Sequence, residues 1–538
     1  MTSPPTNKPH VVILGAGFAG VYTAIHLEKL LGARDDFEII LVNRENYFVF
    51  QPMLPEIISG SIGILDTVSP IRRLLPKTTL FVRDVEAIDL RQRTVTLSQG
   101  FRPRPYLLSY DHLVLALGTV TDFRGMTGLS EHAMPFKNLA DAIHLRNHLL
   151  HVLEEAAIEQ DAELRDRLLT FVVAGGGFSG VEVAAELNDF VRNAAKHYRG
   201  IDPGRIRTVL LHSGERILDR EMSSEMSLYA QRLLQKRGLE IRLRSRLRSA
   251  SPDAAILQSG ERIPTKTLVS TVPSSPHPLI DSIDLPKDRG RIKADLTMKV
   301  EGRDDVWTAG DCALIPNPDG SGFCPPTAQH ATRQARVAAH NIVASIRHGS
   351  FRSFDFKGLG KMGSLGYRSA VAELFGRVKL SGFIAWFLWR TIYLFKLPGL
   401  ERKLKVGLAW GLDLLIPPEM VQLKLGEARG VSQAHFEPGE VVFRQGDLGD
   451  TLYILLSGEA EVVREDNGSE EVIARLHPGE YFGEMALLNQ RTRGATIRCV
   501  EAMDVLCLHK GDFRALVANL PDLRKSFEQV MAKRMAQK

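Results

Sequence analysis

Residues 171–187, FVVAGGGFSGVEVAAEL, form an apolar run that ends in a glycine-rich turn and continues into a helical pattern. The turn carries Gly175, Gly177 and Gly180 in a GxGxxG spacing. In a strand–turn–helix unit the first glycine permits the tight turn, the second lets backbone approach a pyrophosphate, and the third lets the helix pack on the strand. The phosphates then face the free N–H groups at the start of the helix. This stretch predicts a Rossmann-like dinucleotide site.

An earlier copy of the same pattern occupies residues 10–30, HVVILGAGFAGVYTAIHLEKL, with Gly15, Gly17 and Gly20. Two such fingerprints predict an α/β protein that holds two dinucleotides. A later strand-like run, DDVWTAGDCALIP (304–316), ends at Gly310 and Asp311 and returns the chain to the first unit. The second dinucleotide-binding domain is therefore predicted to be inserted in the first.

The tips of the strands that follow the two glycine turns depart from the usual pattern. An acid normally stands there and binds the ribose hydroxyls. In the first unit the position holds Asn43, followed by Arg44, and in the second it holds His212. Without that acid the 2′-phosphate of NADPH is no longer repelled, so the choice between NADH and NADPH stays open. Alternatively, backbone or Glu215 binds the ribose in place of the missing acid, and the preference is unchanged.

Other single positions have both a functional and a structural interpretation. The run 113–117 stops at Gly118, where backbone could pass close to a ligand. Asp311 suits hydrogen bonding to a ribityl or pyrophosphate group, and a helix cap is the alternative. Residues 47–60, YFVFQPMLPEIISG, would either line a flat aromatic ring or belong to the core.

The bulk composition narrows the class of protein. The chain has 538 residues and a net charge of +5, which is slight for this length, so no nucleic-acid partner is predicted. Its four cysteines form no CxxC pair and no zinc spacing, which fits a reducing compartment and predicts no metal site. We expect neither a signal peptide nor a membrane-spanning helix.

Residues 374–416 combine an apolar, aromatic-rich stretch with basic residues. Within 383–397 almost every residue is apolar, and Trp386, Trp389, Tyr393 and Arg390 are interleaved. A stretch too short to span, with aromatic and basic flanks, predicts a helix that lies in the membrane interface. A buried hairpin or a homodimer contact is the alternative.

The last hundred residues differ in character. Short alternating strands with evenly spaced glycine turns predict a small antiparallel β-roll, followed by one helix over 516–535. One terminal helix leaves no room for a helix-turn-helix DNA reader.

The motifs GAGFAG, LALGT, GGGFSGVE, AGDCA and TAQHATRQ, in this order, resemble those of the two-dinucleotide flavoproteins, and specifically of type II NADH dehydrogenases, over about residues 9–416. The resemblance implies a non-covalent FAD, NADH as electron donor, a membrane quinone as acceptor, no proton pumping and a peripheral place on the cytoplasmic face of the inner membrane. It also implies a set of site residues: for FAD, Gly15, Gly17, Gly20, Gly118, Gly310 and Asp311; for NADH, Gly175, Gly177 and Gly180; beside the nicotinamide, Glu182.

The same resemblance assigns Ala328 and Gln329 to a quinone motif, AQxAxQ. The second glutamine position holds Arg333, and Gln334 comes one residue late. The absence of a cysteine pair supports an external acceptor, because disulfide reductases and sulfide:quinone reductases of this architecture use cysteine sulfurs.

Residues 431–538 resemble cyclic-nucleotide-binding domains through FGEMALLNQRTRGAT (482–496). The resemblance implies that backbone at Gly483 and Arg493 hold the cyclic phosphate, and that Glu484 takes the ribose hydroxyl. Gly494 stands where domains selective for cyclic GMP often carry a hydroxyl, so cyclic AMP is the expected ligand. A fold that binds nothing is the alternative.

The predicted domains are an FAD-binding domain in two parts (9–135 and 291–350, the latter with the quinone-site helix), an NAD(P)H-binding domain (136–290), a membrane-anchoring region (351–425) and the cyclic-nucleotide domain (431–538). The leading hypothesis is a membrane-associated NADH:quinone oxidoreductase with a cyclic-nucleotide sensor. The alternatives are a signalling or membrane-docking protein whose redox half senses NADH, and an oxidoreductase with a soluble acceptor.

Overall fold

The computed structural model describes residues 8–509 except 99, 101–105, 124, 272–274, 413–419, 423–431, 448, 450, 467–468 and 485–491. Three predicted features therefore lie outside the described residues: the terminal helix 516–535, residues 485–491 of the cassette, and residues 413–416 at the end of the membrane segment. The domain boundaries stay a prediction.

The first part of the chain builds a parallel sheet with the order β22-β9-β1-β2-β5. The strand residues Val11–Leu14 are fully buried, as expected for a parallel sheet covered on both faces. The elements of this part are β1 (His10–Leu14), α1 (Phe18–Leu31), β2 (Glu38–Asn43), β3 (Tyr47–Val49), α2 (Leu54–Ser59), β4 (Val68–Pro70), α3 (Ile71–Leu74), β5 (Thr79–Val82), β6 (Val85–Asp89), β7 (Thr94–Leu97), β8 (Tyr106–Ser109) and β9 (His112–Leu115).

A second parallel sheet follows, with the order β11-β18-β12-β13-β14. Residues 139–168 form two helices rather than one, because the Asp161 side chain accepts the N–H groups of Glu163 and Leu164 and caps the second helix. The elements are β10 (Thr119–Val120), α4 (Leu129–His132), β11 (Ala133–Pro135), α5 (Leu139–Ile158), α6 (Ala162–Leu168), β12 (Thr170–Ala174), α7 (Phe178–Ala195), β13 (Arg207–Leu211), α8 (Ser224–Lys236), β14 (Leu239–Arg242), β15 (Leu247–Ser251), β16 (Ala254–Leu257), β17 (Arg262–Pro264) and β18 (Thr267–Ser270).

The chain then returns to the first sheet, which gains β22 at its edge. The outgoing and returning connections pair with each other as the antiparallel strands β10 and β19, and we call this pair the crossing. The elements of the return are β19 (Ser275–Pro276), α9 (Pro278–Asp281), β20 (Lys287–Asp288), β21 (Arg291–Lys293), β22 (Val306–Thr308), β23 (Ala313–Leu314) and α10 (Ala328–Ile346).

The region predicted as a helical membrane anchor begins with a three-stranded antiparallel sheet, β24 (Gly360–Ser364), β25 (Ala370–Leu374) and β26 (Val378–Ser381). Two helices follow, α11 (Gly382–Lys396) and α12 (Leu400–Leu412), which we call the hairpin. The predicted helix over 383–397 corresponds to α11, whereas the residues before it form a β-hairpin in which residues 371–374 pair with Val378–Ser381. Among the described residues, no helix has the length and apolar character needed to cross a membrane.

The C-terminal part is antiparallel, as predicted, and is called the roll below. Its main sheet has the order β27-β32-β29-β30. The strands are β27 (Ser432–Phe436), β28 (Val441–Phe443), β29 (Thr451–Asp466), β30 (Ser469–Leu476), β31 (Tyr481–Phe482) and β32 (Thr496–His509).

Candidate active site

Both glycine turns have the backbone that their spacing predicts. Gly15 and Gly175 lie in the left-handed region, at φ 97° and 125°. A Cβ added to Gly20 would lie 1.8 Å from the carbonyl oxygen of Gly15, and one on Gly180 would lie 1.8 Å from that of Gly175. Only glycine therefore lets α1 and α7 start this close to their strands.

The middle glycines face more open surroundings. A Cβ on Gly17 would meet no atom within 4 Å, and the same holds for Gly118, which has φ 66°. Gly17 and Gly177 are the N-terminal caps of their helices, and no side chain caps either helix. A Cβ on Gly177 would lie 2.9 Å from Oε1 of Glu221. Uncapped N–H groups beside open space fit a dinucleotide pyrophosphate at Gly17, whereas at Gly177 the Glu221 carboxylate lies close to the start of the helix.

At the end of β2, where a ribose-binding acid would normally stand, the side chain of Asn43 is hydrogen-bonded to other residues of the protein. Its Oδ1 accepts the N–H of Ala16 at 2.9 Å, and its amide donates to the carbonyl of Glu45 at 2.9 Å and to the Glu45 carboxylate at 3.3 Å. Arg44 is exposed and paired with Asp84. Glu45, which the sequence analysis did not single out, brings a carboxylate to the strand tip. Its position two residues after Asn43 is the sequence feature that could have identified it as a candidate ribose-binding residue.

The second ribose strand ends at His212, whose ring packs on the glycine turn. A Cβ on Gly176 would lie 2.4 Å from Cγ of His212. The ring nitrogen Nε2 lies 3.6 Å from Asp219. Next to it, exposed Arg244 donates to Glu215 at 2.9 Å. The ribose end of this unit thus presents one histidine and an arginine–glutamate pair.

One cavity of about 1320 Å³ joins both units. It is lined by the first glycine turn, the start of α7, the start of α10 and the end of α11. The segment 50–55 also lines it, while Phe50, Met53 and Leu54 are buried, so residues 47–60 serve both as cavity wall and as core. Of the predicted site residues, the cavity brings together Gly15, Gly17, Asn43, Gly118, Glu182, Gly310, Asp311, Ala328 and Gln329.

Glu182 enters the cavity from the first turns of α7. The exposed part of its side chain faces the cavity, and its Oε1 accepts the N–H of Ser364 at 3.0 Å. Burial among protein atoms raises the pKa of this carboxyl from 4.5 to about 8, and the charge of Glu56 adds to the rise. The group therefore carries a proton at neutral pH.

One helical turn further, Glu186 is also buried. Burial raises its pKa to about 8, with Glu56 again contributing.

Tyr393 also lines the cavity. Burial and Glu182 raise the pKa of Tyr393, whose ring packs on Phe50 at a centroid distance of 5.8 Å. Glu182 and Tyr393 lie in separate segments of the sequence, so the sequence pattern alone gave no reason to pair them.

Asp311 faces two cations. Burial raises the pKa of Asp311, while Lys137 and Arg291 oppose the rise. Lys137 lines the cavity and donates to Thr119. The adjacent Gly310 N–H donates to Oε1 of Gln334 at 2.9 Å, so this late glutamine holds the turn of the first unit.

The start of α10 carries Ala328 and Gln329. The Gln329 amide donates to the carbonyl of Gly360 at 3.2 Å and accepts the N–H of Leu359 at 3.2 Å, which fixes its orientation. Arg333 does not line the cavity: its guanidinium donates to the carbonyl of Gln329 at 2.9 Å and lies 3.9 Å from the centre of the Phe356 ring.

The hairpin is fixed to α2 by a buried cluster. Arg390 lies between the rings of Trp386 and Trp410, at 4.4 and 4.8 Å, and pairs with Glu56 at 3.4 Å. Trp410 donates to the other Glu56 oxygen at 2.9 Å. Trp386 and Trp389, expected at a membrane interface, are instead buried: Trp386 stacks on Arg390, and Trp389 packs against Tyr393 and Trp410 at centroid distances of 4.6 and 6.4 Å. The exposed apolar residues of the hairpin are Phe383, Ile384, Phe387, Phe395, Leu400, Leu404, Leu408 and Leu412.

In the roll, Arg493 and Glu484 are buried. Arg493 donates to the carbonyls of Gly483 at 2.7 Å and Thr451 at 2.9 Å. Its guanidinium lies 4.0 Å from the centre of the Phe443 ring. Gly483 has φ 86°, so its position favours glycine. The pocket predicted from the cassette thus has its arginine held beside an aromatic wall.

Two Rossmann-like units, with one inserted in the other and a shared cavity between them, define the two-dinucleotide oxidoreductase fold. The family model for pyridine nucleotide-disulphide oxidoreductases matches residues 9–335, and the model for cyclic nucleotide-binding domains matches residues 433–519. The chain belongs to the pyridine nucleotide-disulphide oxidoreductase family and carries a cyclic nucleotide-binding domain. The prediction of an oxidoreductase is confirmed.

Individual proteins similar to this chain give a more specific comparison than the family models. Demethylphylloquinone reductase NdbB of Synechocystis is 32% identical over 412 residues, covering 75% of this chain and 96% of that protein. The type II NADH:quinone oxidoreductase NdhA of Mycobacterium tuberculosis is 29% identical, covering 76% and 88%. The structure of NDH2 from Plasmodium falciparum in complex with NADH matches with TM-score 0.71 at 18% identity, covering 77% of this chain and all of that one. The predicted resemblance to type II NADH dehydrogenases is confirmed.

Proposed function

We propose that the protein is a membrane-associated, FAD-dependent enzyme that oxidises NADH and reduces a membrane quinone without pumping protons, and that a cyclic nucleotide bound to the roll regulates it. The observation that carries the proposal is a cavity lined by the first glycine turn, the start of α7 with Glu182, Gln329 and the end of α11 in the hairpin. When bound, FAD would accept a hydride and pass electrons to an external acceptor. All four cysteines are buried free thiols, which favours an acceptor outside the protein.

The residues of the chain would bind and orient the two dinucleotides and would supply a proton. The two glycine turns would hold the pyrophosphates, and Asp311 with Lys137 would hold polar groups of the first dinucleotide. Glu182, protonated at neutral pH, keeps a proton beside the cavity, and Ser364 fixes the carboxyl that holds it. Gln329 is a positioning residue at the acceptor end, since both of its amide atoms are bonded to backbone.

The test is spectroscopic and kinetic. The purified protein should be yellow with bound flavin, and NADH should bleach it until a short-chain quinone restores the colour. Absence of flavin, or bleaching that a soluble protein acceptor reverses and a quinone does not, would contradict the proposed reaction. The second result would favour the soluble-acceptor alternative.

Membrane association is proposed on the exposed apolar side chains of the hairpin together with the cations Lys396, Lys403 and Lys405. The proposed site is the cytoplasmic face of the inner membrane, without a spanning helix. The double substitution Phe387→Ser and Leu404→Ser should lower sedimentation with anionic lipid vesicles while leaving turnover with a soluble quinone unchanged. Leu107→Ser, equally exposed but on β8, is the matched control. Equal sedimentation of both variants would contradict this part.

A further inference from the structure

The roll contacts the rest of the chain at one place that bears on the active site. His132 on α4 approaches β27 so closely that its Nε2 lies 2.8 Å from the carbonyl oxygen of His435 and 3.1 Å from the backbone nitrogen of the same residue. A Cβ on Gly128, at the start of α4, would lie 3.4 Å from the His435 ring. His435 is buried by this contact, at 4% exposure.

Two further contacts widen the same surface. The hydroxyl of Ser249 donates to Glu437 at 3.2 Å, and Arg262 pairs with Glu440, which is largely buried. The N–H of Glu437 in turn donates to Glu440 at 2.9 Å. Residues 432–440 of the roll therefore rest on α4, β15 and β17, and we call this contact the docking surface.

The docking surface includes a helix of the outgoing connection. Helix α4 lies after β10 and before β11. Before α4 in the sequence, Gly118 and Thr119 line the cavity, and after it Lys137 lines it. Thr119 lies ten residues before the first residue of α4 and Lys137 five residues after its last, and the chain that joins them is the path along which a shift of α4 would act.

The docking surface also connects to the arginine of the cassette. Nδ1 of His435 lies 2.7 Å from Asp504 on β32, and Ser457 on β29 donates to the same carboxylate at 2.9 Å. The first residue of β29, Thr451, is the one whose carbonyl accepts from Arg493. A cyclic phosphate that draws Arg493 away would break its hydrogen bonds to this carbonyl and to that of Gly483, and would act on the strands that hold His435.

We propose that the docking surface is the route by which occupancy of the Arg493 pocket changes turnover in the shared cavity. This inference rests on the proposed function, and it names the residues that couple the two sites. Coupling between two binding sites is reciprocal, so if cyclic AMP changes the affinity of the cavity for NADH, NADH changes the affinity of the pocket for cyclic AMP by the same factor.

The experiment uses the full chain, the double variant His132→Ala/Arg262→Gln, and cyclic AMP as probe. Both substitutions lie outside the roll, so they leave its pocket intact. Arg475→Gln is the control, because it removes an exposed ion pair with Glu459 within the roll. Measurements are cyclic AMP affinity by calorimetry, hydrogen exchange over 119–137, and NADH:quinone turnover with and without cyclic AMP.

We expect cyclic AMP to change exchange over 119–137 and turnover by at least threefold in the wild type and in Arg475→Gln. In the double variant cyclic AMP should still bind, and both changes should fall below 1.5-fold. Binding without any change over 119–137, or changes that persist in the double variant, would overturn the inference and leave the quinone reductase standing. No binding would overturn the inference together with the cyclic-nucleotide part of the proposed function.

Discussion

Glu56→Gln should loosen the hairpin locally while the two dinucleotide units stay folded. Glu56 is 2% exposed and Arg390 is 7% exposed, so the substitution leaves a buried guanidinium without its counter-charge. Breaking a buried ion pair on one side costs about 3–5 kcal/mol. The stacking of Arg390 on two tryptophans is the same in wild type and variant, so it does not change this difference. We therefore expect a loss of about 3–5 kcal/mol.

Hydrogen exchange over 382–412 measures this loss directly, because local opening of α11 and α12 governs the rate. A loss of about 3–5 kcal/mol corresponds to exchange roughly 150–4000 times faster. Glu401→Gln is the control: Glu401 sits on α12 and pairs with Arg73 and Lys405, but it is exposed, and such pairs contribute about 0–1 kcal/mol. Equal exchange rates in the two variants would refute the reasoning.

Three further substitutions test the remaining features. Glu186→Gln should flatten the pH dependence of the melting temperature. The folded pKa of about 8 lies above the unfolded value of 4.5, so the contribution of Glu186 to stability is fully present below pH 4.5 and falls by up to about 1.4 kcal/mol per pH unit until pH 8; an equally steep wild type and variant would contradict this. Gly180→Ala should keep bound flavin but lose its reduction by NADH, whereas Gly20→Ala should lose flavin, as absorbance at purification would show; the reverse pattern would exchange the two assigned ligands. His212→Glu should lower kcat/KM for NADPH at least tenfold relative to NADH, because a carboxylate there repels the 2′-phosphate; an unchanged ratio would place the 2′ position elsewhere.

Features set by neighbouring residues could be predicted from the sequence. The glycine spacing requires a strand, a tight turn and a helix within a few residues, and the left-handed backbone of Gly15 and Gly175 follows from it. The apolar run 383–397 likewise indicated a helix, and α11 spans almost the same residues. These properties depend on interactions within one or two turns of chain.

Features that join distant residues could not be predicted. Glu56 and Arg390 are 334 positions apart, and His132 and His435 are 303 apart, so no periodicity connects them. Trp386 is buried against Arg390, the partner of Glu56, and Trp389 against Trp410 of α12. An aromatic-rich run alone could not distinguish a buried face from a lipid-facing one. Arg333 was assigned by its place in a motif, but the helix turns it onto Phe356.

The insertion of one unit in the other has a consequence for synthesis. Strand β22, which completes the first parallel sheet, comes about 190 residues after its neighbour β9, whereas the sheet β11-β18-β12-β13-β14 is complete once Ser270 has been made. Sequential emergence from the ribosome therefore favours folding of the inserted unit first. The first sheet must meanwhile wait with an open edge beside β9, and a flavin that bound as soon as β22 and α10 emerged would stabilise the last step of assembly.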